Sequence, residues 1–319
     1  MKYHRALAPQ TMTERPHQPG NSYTSPFPIA FPPCPLGKEV PVWNGQAFQI
    51  GDLETKILSY EVGQSGWTDE LTTFHEGTAG DDHYIDRASR LHAIDRLRHW
   101  LTSDRPAIID VGCSSGLMLK ALRQEFPTSV LLGADYVRGP LETLAHSLPG
   151  VPLLQFDLTT CPLPDKSVDA VVLLNVLEHI ERDESALANV ARILKPNGVT
   201  VIEVPAGPHL YDVYDKLLMH HRRYRMADLI AKIARNGLQV LDRSHLGFLL
   251  YAPFSLTKRR NRRYLNASRE IQEKSVSRSI ATASSQPMMH RLMALEARLR
   301  KMFYYPFGIR CLVTCRPRQ

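Results

Sequence analysis

The chain has 319 residues, 43% of them apolar and 22% charged, enough for one large buried core with additions and not the composition of a disordered chain. Its formal net charge of +7 is uneven: from Phe254 onward fifteen Lys or Arg face three Glu, so the rest is net acidic and a general basic coat for nucleic acid is excluded. Five scattered cysteines, no apolar signal-peptide core and no apolar run near the roughly twenty residues of a membrane span lead to an expectation of a cytoplasmic protein.

Residues 1 to about 45 carry nine prolines and no apolar periodicity, so a proline-rich flexible arm is expected. Residues 46–104 are expected to form a helical cap, with a helix from Asp82 to Leu101 whose inner side is Ile85, Leu91, Ile94 and Leu97 or Leu101. The segment 105–247 reads as the core. Ile108-Ile109-Asp110-Val111 is a buried strand, and Gly112-Cys113-Ser114-Ser115-Gly116 is a turn whose glycines allow backbone to approach a ligand. A helix follows from Leu117 to Phe126, with Leu119, Leu122 and Phe126 on one side, and stops at Pro127.

A second strand, Val130 to Ala134, ends in Asp135, and a third, Val151 to Phe156, ends in Asp157. The fourth, Val168 to Leu174, is nearly continuous and β-branched, as a strand buried on both faces should be. It runs into Asn175-Val176-Leu177-Glu178-His179-Ile180. A helix with Leu187, Val190, Ala191 and Leu194 on one face is broken by Lys195-Pro196-Asn197-Gly198, and a fifth strand runs from Val199 to Val204. Alternating strands and helices argue for a parallel sheet covered on both faces, with ligands at the carboxyl ends of its strands. The turn, Asp135, Asp157 and Asn175 to His179 all fall there. A nicotinamide dehydrogenase would want Gly-x-Gly-x-x-Gly, whereas three residues here separate only two glycines.

Beyond a sixth strand at about Leu238 to Leu246, a basic helical insertion is expected over 248–305, then a last strand and tail over 306–319, with the strand at Ile309 to Cys315. Its densest basic run is Lys258 to Arg263, and a helix near Met288 to Met302 has Met288, Leu292, Leu295, Leu299 and Met302 on one side. Such a helix packs on its own domain, lies on an anionic membrane surface at the inner face of the membrane, or closes over an acidic substrate.

These pieces together resemble the class I S-adenosylmethionine-dependent methyltransferases, in a bacterial branch similar to small-molecule O-methyltransferases. The resemblance rests on the Asp-x-Gly-x-x-x-Gly turn, Asp135, Phe156-Asp157-Leu158, the Asp169-to-Ile180 strand end and Leu194-Lys195-Pro196-Asn197-Gly198, and covers roughly residues 85 to 245. It implies an α/β fold: a Rossmann-like doubly wound sheet of seven mostly parallel strands with an antiparallel last strand. The implied cofactor is S-adenosyl-L-methionine. Gly112 and Gly116 would line its methionine part and Asp135 would take the ribose hydroxyls, with Asp110, Cys113, Ser114, Tyr136 and Asn175 also among the cofactor-binding residues. Asp157 would take the adenine amino group with Phe156 and Leu158 beside the ring, and an arginine of the preceding helix, Arg90, would pair with the cofactor carboxylate, a solvated helix face being the alternative. Where many members have a third glycine this chain has Ser114, which crowds the turn slightly.

Methyl transfer asks mainly for alignment of a nucleophile, and a hydroxyl acceptor also has to lose a proton. His179, His220 and His221 are the candidate catalytic residues, since imidazole titrates near neutrality. Tyr211, Asp215, Arg223 and Tyr224 are candidate acceptor-binding residues, because they cluster in a loop after the fifth strand. Arg-to-Asp pairing inside that loop is the alternative. Ubiquinone-type O-methyltransferases associate a Glu-x-x-Glu-His run with divalent metal, but Asn175 stands at the first position here. Two ligands remain, so no metal is expected, and Cys311 and Cys315 lack a second pair. The expected reaction is O-methylation of a small-molecule or lipid-linked acceptor; N- or C-methylation and cofactor binding without turnover are the alternatives.

Overall fold

The computed structural model describes residues 27–35, 37–60, 83–284, 287–300 and 302–319. Three short strands, β1 (Val42–Trp43), β2 (Phe48–Ile50) and β3 (Leu53–Thr55), form a small antiparallel sheet, and β4 (Ile57–Ser59) leaves it to join the main sheet. The described part of the expected arm is packed: Ile29, Phe31, Cys34, Trp43 and Phe48 are all at most 5% exposed, with Phe31 edge-on to Phe48 at 5.1 Å. The helical cap is likewise corrected, since residues 46–60 are strands and turns. Residues 1–26 of the arm and 61–82 of the cap lie outside the described residues.

Helix α1 (Tyr84–Trp100) buries Ile85, Ala93, Ile94 and Leu97, while Leu91 is 57% exposed and His92 lies inside in its place. The core then alternates as expected: β5 (Ala107–Val111), α2 (Leu117–Glu125), β6 (Val130–Asp135), α3 (Arg138–Ser147), β7 (Leu153–Gln155), β8 (Val168–Leu174), α4 (Asp183–Ile193) and β9 (Leu194–Pro205). After it come α5 (Val213–Leu217), α6 (Met226–Arg235), β10 (Leu238–Leu246), α7 (Tyr251–Asn261), α8 (Arg269–Ser284), α9 (Pro287–Leu299) and β11 (Arg310–Pro317).

The main sheet has eight strands in the order β10-β11-β9-β8-β5-β6-β7-β4. Only β11 runs antiparallel to its neighbours, β9 and β10. The seventh-strand topology is as expected; the eighth strand, β4, pairs in parallel with β7 at the far edge. Period-two alternation along β5 sends Ile108 to one face, among Leu97, Leu119 and Leu144, and Ile109 and Val111 to the other, among Leu187, Val190, Leu229 and Ile233. Helices α1–α3 cover the first face and α4 and α6 the second. The chain goes from β5 outward to β7 and returns through β8 on the other side of β5. The crevice at the carboxyl ends of β5 and β8 is therefore the switch point where open α/β sheets bind ligands.

Helices α7–α9 fill the interval between β10 and β11. The inner side of α9 is Met289, Leu292, Met293 and Glu296, packed near Ile85 and Leu250, whereas Met288, Leu295 and Met302 are exposed. The expected stripe thus faces the wrong way by about one residue. Glu296 explains the rotation, because its carboxylate accepts the N–H groups of Gly247 at 2.6 Å and Leu249 at 3.0 Å where β10 ends. Among the described residues no helix is long and apolar enough to cross a membrane.

Candidate active site

A cleft of about 1190 Å³ opens at the switch point, and its lining comes from two groups of residues, one around the turn after β5 and one in the segments after β9. In the first, the turn after β5 is wired to β6: the N–H groups of Gly112 and Cys113 both donate to Ala134 O, at 2.8 and 3.0 Å. Gly112 has φ +74°, and a Cβ there would stand 2.6 Å from Val176 Cγ2. Ser114, where the resemblance places a third glycine in many members, adopts φ +44°.

Asp135 closes the turn. Its Oδ2 accepts the Ser114 N–H and its Oδ1 the Val137 N–H, each at 2.9 Å, so one carboxylate holds the turn and the entry to α3. Asp110 is 3% exposed, its Oδ2 has no hydrogen-bond partner, and burial, then the Asp135 charge, pushes its carboxyl well above the usual range. Phe156 and Leu158 are buried and line the cleft with Asp157, whose Oδ1 caps the following turn by accepting the Thr159 N–H at 2.7 Å. Arg90, Cys113, Tyr136 and Asn175 also line it, the last with φ +56° and its N–H donated to Glu203 O. Gly116 does not line the cleft. It begins α2 at φ +76° against Leu144, so its role is helix entry, a correction to the expected ligand contact.

Asp135→Ala removes the charged acceptor from the turn and the expected ribose contact. S-adenosylmethionine affinity is expected to fall by about 1.5–3 kcal/mol, roughly 10- to 150-fold in Kd by calorimetry.

The second group is built by a buried ionic network on α5 and α7. Asp212 N–H donates to Asp215 Oδ2 at 3.0 Å and Tyr214 N–H to Asp212 Oδ1 at 3.1 Å, a reciprocal cap at the start of α5. Asp215, fully buried, accepts from His220 Nδ1 at 2.9 Å, Arg223 Nη1 at 2.8 Å and Lys258 Nζ at 3.1 Å. Lys258 also reaches Asp212 at 2.7 Å and lies over the Tyr214 ring at 4.7 Å. Arg223 further donates to Ala206 O at 2.9 Å.

Three expected acceptor contacts are therefore corrected. Asp215 is spent inside the network. Tyr224 donates its hydroxyl to Leu177 O and Asp183, beneath the sheet end. Tyr211 donates to His220 O at 3.0 Å. None of these three lines the cleft; Arg223 does, but with its charge already paired to Asp215, as the alternative reading had it.

All three candidate histidines line the cleft. His221 is exposed, its N–H donated to Glu178 O at 2.8 Å. His179 and His220 meet edge to face, with ring centroids 4.7 Å apart. Burial lowers the His220 imidazole's pKa against the pull of Asp215. Glu178 is 1% exposed with neither carboxylate oxygen hydrogen-bonded, and burial pushes its carboxyl up to about 8.

Composition reasoning missed a second cluster. Arg310, at the start of β11, lines the cleft and pairs with Asp86 at 2.6 Å and Glu203 at 2.5 Å, with Ser89 bridging to Glu203 at 2.8 Å. Lys258 stands in the densest basic run, where nothing in the sequence singles it out from its neighbours.

Residues 109–202 match a sequence family described as a methyltransferase domain. A trans-aconitate 2-methyltransferase of Acidovorax sp. (strain JS42) is 31% identical over 98 residues, 31% of this chain and 38% of that protein. A probable S-adenosylmethionine-dependent methyltransferase of Mycolicibacterium smegmatis is 27% identical over 141 residues, 42% of this chain and 52% of that one. The chain thus spans about half or less of the length of these curated relatives. Among solved structures, a chain from the complex between the Haloferax volcanii Trm112 methyltransferase activator and the putative methyltransferase aligns at TM-score 0.53 and 16% identity, over 81% of this chain and 100% of that one, a likeness of fold. The match runs from β5 to β9, along the strands whose ends build the cleft, so this part of the chain is similar to a methyltransferase domain.

Proposed function

We propose that the chain transfers the methyl group of S-adenosylmethionine to an oxygen of a small-molecule or lipid-linked acceptor. The observation that carries this reading is that one cleft of about 1190 Å³ is lined both by the turn after β5 with Asp135, Phe156 and Leu158 and by Glu178, His179 and His220, a volume above the roughly 300–1,000 Å³ of an ordinary ligand pocket. The first group fits a nucleoside joined to an amino acid: a backbone turn, the unpartnered Asp110 carboxyl, Asp135 near the turn, and Phe156 with Leu158 for a flat ring. When bound, S-adenosylmethionine supplies a methyl group already activated on a sulfonium. The protein adds alignment and a route for the acceptor's proton.

The cleft is lined by the apolar Leu218, Leu250, Pro253, Phe254 and Met289 as well as by Glu178, His179 and His220. Asp215 holds His220 through Nδ1, which leaves Nε2 to meet an acceptor oxygen, directly or through a bound ion. His220→Ala is expected to lower kcat about 10²–10⁴-fold while S-adenosylmethionine affinity stays within about twofold. Isotope-labelled methyl donor, supplied with a metabolite extract and read by mass spectrometry, identifies the product. Label on an oxygen supports the reading; label only on nitrogen or carbon overturns the choice of atom.

A further inference from the structure

We propose that Glu178, His179 and His220 form a binding site for one divalent transition-metal ion, with its open coordination positions toward the cleft. Each residue offers a ligand atom, and these atoms lie within 4.8 Å of one another. Sequence spacing brings only Glu178 and His179 together. The third ligand arrives 41 residues later, because the backbone after β9 returns so that His221 N–H bonds Glu178 O at 2.8 Å.

The surroundings of the three residues argue for a cation. His220 gives Nδ1 to a buried carboxylate at 2.9 Å, the outer-shell arrangement that fixes ring orientation and leaves Nε2 as a ligand. Asp215, the carboxylate in question, is itself clamped by Arg223 and Lys258. Glu178 has no such partner. It is 1% exposed, neither oxygen is hydrogen-bonded, and the nearest cations are engaged elsewhere: Arg310 by Asp86 and Glu203, Arg223 and Lys258 by Asp212 and Asp215. A buried carboxylate is ordinarily paired or bound to a metal.

The donor set selects the class of ion. Two imidazoles with one carboxylate suit zinc, iron, cobalt or nickel, whereas magnesium and calcium prefer oxygen ligands. Three protein ligands also leave positions open for an exogenous oxygen. The metal site stands independently of the methyl-transfer reading. Only the assignment of those open positions to an acceptor hydroxyl or carboxylate rests on that reading.

The test uses the full chain, stripped with a chelator and titrated with cobalt(II) as a visible-absorbing probe. One cobalt per chain is expected, with d–d bands that zinc abolishes by competition. Glu178→Gln, nearly isosteric, and His220→Ala are each expected to weaken cobalt binding at least tenfold. Calorimetry with S-adenosylmethionine on the same samples reports separately on the donor site. No stoichiometric cobalt binding by the wild type, or equal binding by Glu178→Gln and His220→Ala in samples that still take up S-adenosylmethionine, overturns the metal site and leaves the donor site standing. Cobalt bound without S-adenosylmethionine binding does the reverse.

Discussion

Asp215→Asn is expected to destabilise the protein by about 3–5 kcal/mol, the scale for removing one partner of a buried charge network. The carboxylate is fully buried and serves His220, Arg223, Lys258 and the N–H of Asp212. Asparagine keeps the shape, but Arg223 then loses its paired carboxylate and Lys258 keeps only Asp212. Chemical denaturation should show a lower midpoint with an unchanged slope, since the surface exposed on unfolding is the same. A loss under about 1 kcal/mol would mean that the network relaxes into water and is not a buried unit.

The same group predicts a pH dependence. Burial alone would raise the Asp215 pKa, but Lys258, the His220 hydrogen bond and Arg223 outweigh burial and hold it well below the usual carboxylate range. A depressed folded-state pKa contributes stability that is present above the unfolded value, about 3.9, and lost as pH falls toward the folded one. The stability gap between wild type and Asp215→Asn should therefore narrow as pH is lowered below about 4.

Gly112→Ala is the second large effect. Its φ of +74° costs an L-residue roughly 1–2 kcal/mol, and the new Cβ would sit 2.6 Å from Val176 Cγ2, adding about 1–3 kcal/mol of overpacking. Val176 is a short branched side chain on the strand-end segment that carries Asn175 and Glu178, so relief has to move either the turn or that segment. Both lower melting temperature and at least tenfold weaker S-adenosylmethionine binding are expected. Gly45 is the control: its φ is +101° but nothing lies within 4 Å of a Cβ, so Gly45→Ala carries the backbone cost alone. Equal behaviour of the two variants would remove the claim that the turn is sterically fixed.

The parallel core was legible because β5, β6 and β8 are apolar runs buried on both faces, each ending in a turn or polar residue. The strands at 42–59 were not. Two or three residues are too few for any periodicity, and the prolines that break helices before Val42 do not prevent Ile29, Phe31 and Trp43 from packing on one another's neighbours. Leu91 and His92 exchanged places for a similar reason, since a one-residue rotation of α1 is invisible when apolar spacing is sparse.

The turn, Asp135, Phe156 and Asp157 line one cleft, a convergence that follows from local order along the chain. The loop after β9 was less legible. Asp215 and Tyr224 read as pocket residues on the premise that a loop has no core to fill, yet α7 folds over this loop and supplies one. Lys258 is the residue that does so, 43 positions from Asp215, inside a run whose other basic residues are exposed. Glu203 was read only as part of a strand, and its pairing with Arg310 depends on β11 inserting beside β9.

If the turn after β5 and Asp135 form one wall of an S-adenosylmethionine site, binding depends on both. Calorimetric titration of the wild type, Asp135→Ala and Gly112→Ala with S-adenosylmethionine, each checked for folding by circular dichroism, tests it most directly. One molecule bound per wild-type chain, with affinity at least tenfold weaker in both folded variants, is the predicted result. A folded wild type that takes up no S-adenosylmethionine, or two variants that bind it as tightly as the wild type, would contradict it.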